Sequence, residues 1–377
     1  MELARNVAGP IASAAMAILL ASGASRAQTP GSSPWSYDHD MTLTYEVDDN
    51  VSEEIADPVS AQVARLTYRG DLRVGSAGEQ RLTLSYQGGF KGHFGSLDTD
   101  VTSQFINEGI LGYQRRITDG FALGGTVGLK NRAWTEGFFF INEDGFTRVN
   151  GSVSGLLSLE PLSGDESSRM EIGARYSDTD FENLDQQFGY HLAGAYASVT
   201  KYFGTDLSAS WSYEFDRIRY PGRGALNPGD SPQAISGPTR DRQEDHVHEM
   251  GAVVTWLGGV SIEGEYSFRL NESNSFGFSY VSHNLGLQVL RRLPWGMLVQ
   301  FYGQVELRDF NEPVPATQAG SLDTGETENN VLMLRLVKDV TPDYSLEMRY
   351  GRYRNEAITL NEYYTKNIYA FGMNYRP

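Results

Sequence analysis

Apolar and polar residues alternate along almost the whole chain. In the stretch 81–91 the two sets interleave residue by residue: Leu82, Leu84, Tyr86 and Phe90 on one parity, and Arg81, Thr83, Ser85, Gln87 and Lys91 on the other. A period of two is typical of a β-strand, in which successive side chains point to opposite faces. The pattern recurs in 207–216, 260–269 and 295–308, and helical spacing is confined to the N-terminal segment. The chain is therefore predicted to be all-β.

The alternating runs are too long for an ordinary soluble sandwich. Strands of such sandwiches average about five or six residues, whereas many runs here reach roughly ten to fifteen residues. That length crosses an apolar membrane band at a tilt of about 35–45°. We count about sixteen runs, centred near residues 43, 68, 86, 110, 126, 153, 172, 196, 212, 251, 265, 283, 302, 334, 348 and 370.

The connections between these runs alternate in length. Short turns are expected at 76–79, 118–120, 204–206, 257–259, 293–296 and 341–344, and longer connections at 48–60, 135–144, 177–187, 221–245 and 311–327. Two connections break the rule, because 271–274 is short on the expected outer side and 160–168 is long on the inner side. A soluble all-β fold has no reason to keep long and short connections out of step. The pattern favours an antiparallel transmembrane β-barrel of about sixteen strands.

The N-terminal residues 1–27 have the pattern of a secretory signal peptide. Arg5 precedes an apolar run from Ile11 to Ala21, and Ser25-Arg26-Ala27 supplies small residues before a cleavage site. A core helix or membrane anchor is the alternative, but the run is short for a bilayer span. We expect residues 28–377 to form one exported barrel domain.

Composition and charge exclude several function classes. The 377 residues include no Cys, which excludes disulfide scaffolds, Cys-ligated zinc and thiol catalysis. The formal charge is −17 and no Lys/Arg stripe is present, so binding to nucleic acid is not expected. Aromatic residues near the ends of the runs suit interfacial girdles in contact with lipid and lipopolysaccharide, among them Tyr113, Trp211, Trp256 and Tyr369.

The chain resembles Gram-negative outer-membrane β-barrels, and more narrowly the porin-like barrels associated with exopolysaccharide or envelope export. The resemblance is carried by the first strand, Thr42–Val51, which runs into an Asp-Asp-Asn loop, by the closing run Tyr364–Arg376, and by the strand rhythm of the whole mature chain. Such barrels usually end in Phe or Trp, whereas this chain ends in Pro377. The resemblance implies location in the bacterial outer membrane. The longest connection, 221–245, is the candidate constriction of the pore.

One parity of each strand is expected to line a water-filled lumen. The candidate pore-lining residues are Arg65, Arg69, Arg73, Arg116, Arg175, Arg269, Arg308, Arg349, Glu108, Glu171, Glu214, Glu263, Glu265, Glu306, Glu347 and Tyr302. Arg217 and Arg219 share the parity of lipid-facing Phe215 and are expected outside. The lining charges either set a transverse field that orients polar solutes or pair with one another to stiffen the wall.

A further set of aromatic residues is a candidate track for sugar rings: Tyr302, Tyr353, Trp134, Phe138, Phe139 and Phe140. The small residues Ala193, Ala195 and Ala197 are a weak indication of a homo-oligomer. The function predicted is passive diffusion of small polar solutes, with no cofactor. The alternative is an export barrel that passes a polysaccharide or protein with the help of periplasmic partners.

Two patterns raise the question of catalysis or metal binding. Ser282-His283-Asn284 contains a nucleophile and a base, but consecutive strand residues point to opposite faces. His246 and His248 share a parity, yet two His without a third defined ligand do not specify a metal site. We expect neither an enzyme nor a metal site.

Overall fold

The protein is a closed barrel of sixteen antiparallel strands. The computed structural model describes residues 35–50, 60–76, 79–94, 101–136, 145–159, 168–181, 189–228, 241–312, 330–356 and 363–377. The expected signal peptide, 1–27, lies outside the described residues. Each strand pairs with its neighbours in sequence, and the first pairs with the last to close the sheet. The predicted fold class and strand number are confirmed.

The strands are long, and each contains one of the sixteen predicted centres. Their bounds are β1 Trp35–Asp48, β2 Ala61–Ser76, β3 Gln80–Phe94, β4 Val101–Thr118, β5 Phe121–Glu136, β6 Phe146–Leu159, β7 Ser168–Phe181, β8 Tyr190–Phe203, β9 Leu207–Gly224, β10 Arg242–Leu257, β11 Ser261–Ser273, β12 Tyr280–Leu293, β13 Met297–Phe310, β14 Val331–Asp339, β15 Tyr344–Glu356 and β16 Tyr363–Tyr375. A 3-10 turn at Pro294–Gly296 joins β12 to β13. Within the described ranges, no helix has the length and apolarity needed to cross a membrane.

The two faces of the barrel wall differ in polarity. In β1 the side chains of Thr44, Glu46 and Asp48 are buried, whereas those of Leu43 and Tyr45 are exposed. Paired residues of neighbouring strands share a face. The strand register therefore shows, for every other strand, which side chains point into the lumen and which point outward. Every strand presents an exposed apolar side chain on the outer face: Leu43, Leu66, Leu82, Leu111, Val127, Val153, Ile172, Val199, Trp211, Val254, Tyr266, Leu285, Leu307, Leu334, Leu346 and Phe371. So continuous an apolar surface is a lipid-contacting band, and the barrel spans a membrane.

Most long connections lie at one end of the barrel and most short ones at the other; 160–167 is long at the short end, and 274–279 is short at the long end. The connection between β9 and β10, expected at 221–245, is shorter than expected, because β9 continues to Gly224 and β10 begins at Arg242, which leaves 225–241. The register shifts between Arg242 and Gln243, which pair with Gly224 and Tyr220, so Pro221 lies in a bulge. Proline has no backbone N–H to donate, and a bulge tolerates it. The expected boundaries at 221 and 245 were therefore wrong. We call the end that carries the long connections the long-connection end.

The seam between β1 and β16 is reinforced on the inner face. Glu46 is 2% exposed and accepts hydrogen bonds from Arg65 of β2 at 3.1 Å and from Arg349 of β15 at 2.7 Å. Its carboxylate thus links strands on either side of the seam. Nearby, Lys366 of β16 lies 3.0 Å from the carboxylate of Asp48. These pairs reinforce the backbone hydrogen bonds that close the sheet.

Replacing Glu46 with Gln is expected to destabilise the closed barrel. Removing the buried charge leaves two guanidinium groups without their shared counter-charge, which costs about 1–3 kcal/mol in the free energy of unfolding. The midpoint of urea unfolding in detergent, followed by gel mobility of unheated samples, measures this loss. Asp40→Asn is the control, because it removes a carboxylate from the same inner face of β1 but outside the stretch Met41–Asp48 that pairs with β16. Equal midpoints for the two variants would show that the seam does not depend on Glu46.

Candidate functional site

The inner face of the barrel is the candidate functional site. The register places on it the side chains of Arg65, Arg69, Arg73, Arg116, Arg175, Arg269, Arg308, Arg349, Glu108, Glu171, Glu214, Glu263, Glu265, Glu306, Glu347 and Tyr302. Arg217 and Arg219 lie on the outer face, where both guanidinium groups contact Glu244, at 2.7 and 2.8 Å. Alternation along each strand is enough to separate these two sets of arginines.

Many inner charges are paired with an opposite charge. Arg175 of β7 donates to both carboxylate oxygens of Asp216 at 3.0 and 2.6 Å and lies 2.6 Å from Glu214. Asp216 and Glu214 belong to β9, so these contacts pass over β8. Arg269 contacts Glu249 at 2.9 Å. Pairs of this kind fix the positions of the lining side chains, which is the stiffening alternative raised by the sequence.

The two signs of charge are nevertheless unevenly distributed around the wall. From β2 to β7 the inner face is mainly basic, with Arg65, Arg69, Arg73, Arg81, Lys91, Arg116, Lys130, Arg132, Arg148, Arg169 and Arg175 against Asp71, Glu108 and Glu171. From β9 to β13 it is mainly acidic, with Glu214, Asp216, Asp245, Glu249, Glu263, Glu265 and Glu306 against Arg223, Arg269, Arg292 and Arg308. In a sixteen-strand barrel these arcs lie largely across the lumen from each other. The described part of the lumen therefore carries a transverse separation of charge.

The lumen contains a cavity of about 670 Å³ lined by residues from β4 to β13. At the long-connection end lie two series of ring and guanidinium contacts, one from Phe146 to Phe278 and one from Arg308 to Phe310. We call them together the aromatic–arginine arc: Phe146, Arg148, Tyr190, Tyr220, Arg223, Phe278, Arg308, Tyr280 and Phe310. The guanidinium carbon of Arg148 lies 5.7 and 6.0 Å from the ring centres of Phe146 and Tyr190. The rings of Tyr190 and Tyr220 are 6.0 Å apart.

The aromatic–arginine arc differs from the aromatic track expected from the sequence. Tyr302 and Tyr353 do share the inner face, but Tyr302 lies deeper in the lumen, hydrogen-bonded to Gln304. The side chain of Trp134 and residues 138–140 lie outside the described part of the chain. The sequence signal for the arc is an aromatic residue that belongs to the inward-facing set of its strand and lies next to a long connection, as Tyr190 and Tyr220 do.

The first residues of the β9–β10 connection pack against the β11–β12 connection. Leu226 and Phe278 are each 3% exposed and form a small apolar cluster with Phe276. The backbone N–H of Leu226 donates to Ser275 Oγ at 3.0 Å, and that of Phe276 donates to the Leu226 carbonyl at 3.0 Å. Phe278 also lines the cavity, so this packing shapes its wall. The remainder of the candidate constriction, 229–240, lies outside the described residues.

The residues considered for catalysis and metal binding are separated by the wall. Ser282 lies on the inner face, whereas His283 lies on the outer face with Nδ1 2.9 Å from the hydroxyl of Tyr266. His246 and His248 are on the outer face, opposite to Asp245 and Glu249. In the described ranges, no cluster of three or more His, Asp or Glu residues has the geometry to hold a metal ion.

Comparison with known proteins finds similarity of fold. No family model matches the chain, and no curated protein matches it. Among solved structures, OccAB1 from Acinetobacter baumannii aligns with 94% of this chain and 99% of its own at 9% identity and a TM-score of 0.49. CdiB from Acinetobacter baumannii aligns with 90% of this chain at 10% identity and a TM-score of 0.49, and this chain spans only 60% of it. A bacterial polysaccharide outer membrane secretin aligns with 90% of this chain and 98% of its own at 9% identity and a TM-score of 0.44.

At these identities the likeness concerns the barrel architecture and says nothing about the solute. The membrane location follows from the barrel itself. A single-chain antiparallel barrel with an even number of strands, an apolar outer band and a polar interior is the architecture of bacterial outer-membrane proteins. Exposed aromatic residues, among them Tyr113, Trp211, Trp256 and Tyr369, add to that band on its outer face. The protein is a sixteen-strand β-barrel of the outer-membrane type.

Proposed function

We propose that the barrel is a passive diffusion channel for small polar solutes. The observation that carries the proposal is the charged inner face surrounding a lumenal cavity of about 670 Å³. A wall of this polarity favours water and hydrated solutes over apolar ones, and barrels of sixteen strands are wide enough for an aqueous channel. The sixteen candidate lining residues are the residues that we propose contact the passing solute.

Selectivity would arise from the transverse separation of charge. Acidic and basic arcs that face each other across a lumen orient a dipolar or zwitterionic solute and disfavour an apolar one. The ion pairs of the wall support this role, because they hold charges such as Arg175 and Asp216 in place while solutes pass. The diffusion step needs no bond making and no cofactor.

An export barrel is the second candidate function. The aromatic–arginine arc favours it, because a series of rings at one mouth can contact successive sugar rings of a polysaccharide. Such a barrel would depend on periplasmic partners and would remain closed without them. A homo-oligomer packed through the outer face around Ala193, Ala195 and Ala197 is compatible with either candidate. Lipid and lipopolysaccharide would contact the apolar band in both cases.

Single-channel recording distinguishes the two candidates. The mature chain, 28–377, refolded and inserted in a planar bilayer, is expected to show steady open conductance. The reversal potential under a salt gradient is expected to indicate weak ion selectivity despite the formal charge of −17, because basic and acidic residues both line the wall. A correctly folded barrel that stays silent would contradict the diffusion channel and favour export.

Replacing Arg175 with Gln is expected to make the channel more cation-selective. The substitution leaves Asp216 and Glu214 without their shared cation, and a unit charge a few ångströms away in water changes an ion's energy by about 1 kcal/mol. The cation-to-anion permeability ratio should therefore rise about twofold to fivefold. Arg217→Gln is the matched control, since Arg217 has a similar carboxylate contact but lies on the outer face. Equal shifts in the reversal potential for both variants would be inconsistent with a lumenal role for Arg175.

A further inference from the structure

Arg148 differs from the other paired arginines of the lumen in the groups that hold it. Its Nε donates to Thr179 Oγ1 at 3.1 Å, and its Nη2 donates to the hydroxyl of Tyr190 at 2.8 Å. Rings of Phe146 and Tyr190 lie beside the guanidinium group. Among the described residues its contacts are all neutral, whereas Arg175, Arg269 and Arg308 each contact a carboxylate. Arg148 is thus a positioned cation whose charge is available to a ligand.

The surroundings of Arg148 provide both apolar and polar contacts for a ring-shaped ligand. Arg148, Tyr190 and Tyr220 line the same cavity, and the two tyrosine rings form adjacent surfaces along one side of it. Asn150, Ser152 and Ser177 of the neighbouring wall also line this cavity. The buried Oγ of Ser177 has no hydrogen-bond partner within the described chain. Rings beside amide and hydroxyl groups suit a sugar, which presents C–H faces and many hydroxyl groups.

The charge of the cavity limits the ligand to a single negative charge. Four carboxylates, those of Glu214, Asp216, Asp245 and Glu249, line the same cavity as Arg148. A phosphate dianion would therefore meet four negative groups with Arg148 as its uncommitted cation. A carboxylate carries one charge and matches the planar donor geometry of a guanidinium group. The many polar groups also favour a hydroxylated ring over a purely aromatic acid.

We propose that the long-connection end of the lumen binds acidic sugars, with Arg148 holding the sugar carboxylate and Tyr190 and Tyr220 contacting the ring. The cavity of about 670 Å³ lies within the size range of sites for small ligands. The proposal rests on the channel function above, since it names the class of solute that pauses in the lumen. The site would concentrate uronic-acid solutes at one mouth.

The test uses galacturonate as the probe and galactose as its neutral counterpart. With galacturonate on either side of a bilayer, the open channel is expected to show brief, concentration-dependent current blocks, which galactose does not produce. Arg148→Gln should weaken the block about tenfold or more, because it removes a charged hydrogen bond to the carboxylate. Arg148→Lys, which keeps the charge but not the planar fork, should give an intermediate loss and guards against misfolding of the Gln variant. Arg169→Gln makes the same charge change near the first residue of β7, at the end of that strand away from Thr179, which Arg148 contacts. It should alter the dissociation constant for galacturonate by less than about twofold.

Calorimetry on the folded barrel in detergent separates this site from the channel function. Binding of galacturonate that depends on Arg148 in a barrel without conductance would uphold the site and contradict the diffusion channel. An open channel to which galacturonate does not bind would overturn the site and leave the diffusion channel standing. Equal binding of galactose and galacturonate, or unchanged binding in Arg148→Gln, would also overturn it. Benzoate binding as tightly as galacturonate would show that the site recognises ring carboxylates and not sugars.

Discussion

Closure of the β-ladder is the constraint on which the rest of this structure depends. In the apolar part of a membrane each backbone N–H and C=O must be paired within the protein, and a sheet achieves this only when its first and last strands meet. Here β1 and β16 pair from Met41 with Tyr375 to Asp48 with Ile368. The double contact of Glu46 with Arg65 and Arg349 spans this seam on the inner face. Once the ladder is closed, each strand has one wet face and one lipid face, and the alternation of the sequence follows.

The fold could be predicted from the sequence because that alternation is a local property. Each strand shows its period of two without reference to any other strand, and the lengths of the connections show where strands end. The prediction failed where local and long-range signals differ. Pro221 indicates a strand end by itself, yet β9 continues past it because the register shift opposite Gln243 accommodates a residue that cannot donate a hydrogen bond. A bulge is a property of two paired strands and is not visible in one of them.

The candidate site was only partly predictable for the same reason. Parity separates Arg175 from Arg217, but it cannot show that Arg175 reaches over β8 to Asp216. That contact depends on register and on the curvature of the wall, which brings inner side chains of alternate strands together. The aromatic–arginine arc has the same origin. Tyr190 and Tyr220 are distant in sequence and become neighbours because β8 and β9 pair from Phe203 with Leu207 to His191 with Arg219, the residues next to the two tyrosines.

In the proposed channel, stiffening of the wall and a transverse field are complementary roles of the same charges. A pair such as Arg175 and Asp216 presents a fixed local dipole on the inner face, and the pairing keeps both side chains in place. An electric field orients a dipolar solute only if the charges that produce the field keep fixed positions. Arg148 is positioned in a different way. Its hydrogen bonds with Thr179 and Tyr190 hold the guanidinium group in place, and because both acceptors are neutral, its charge is not balanced by them.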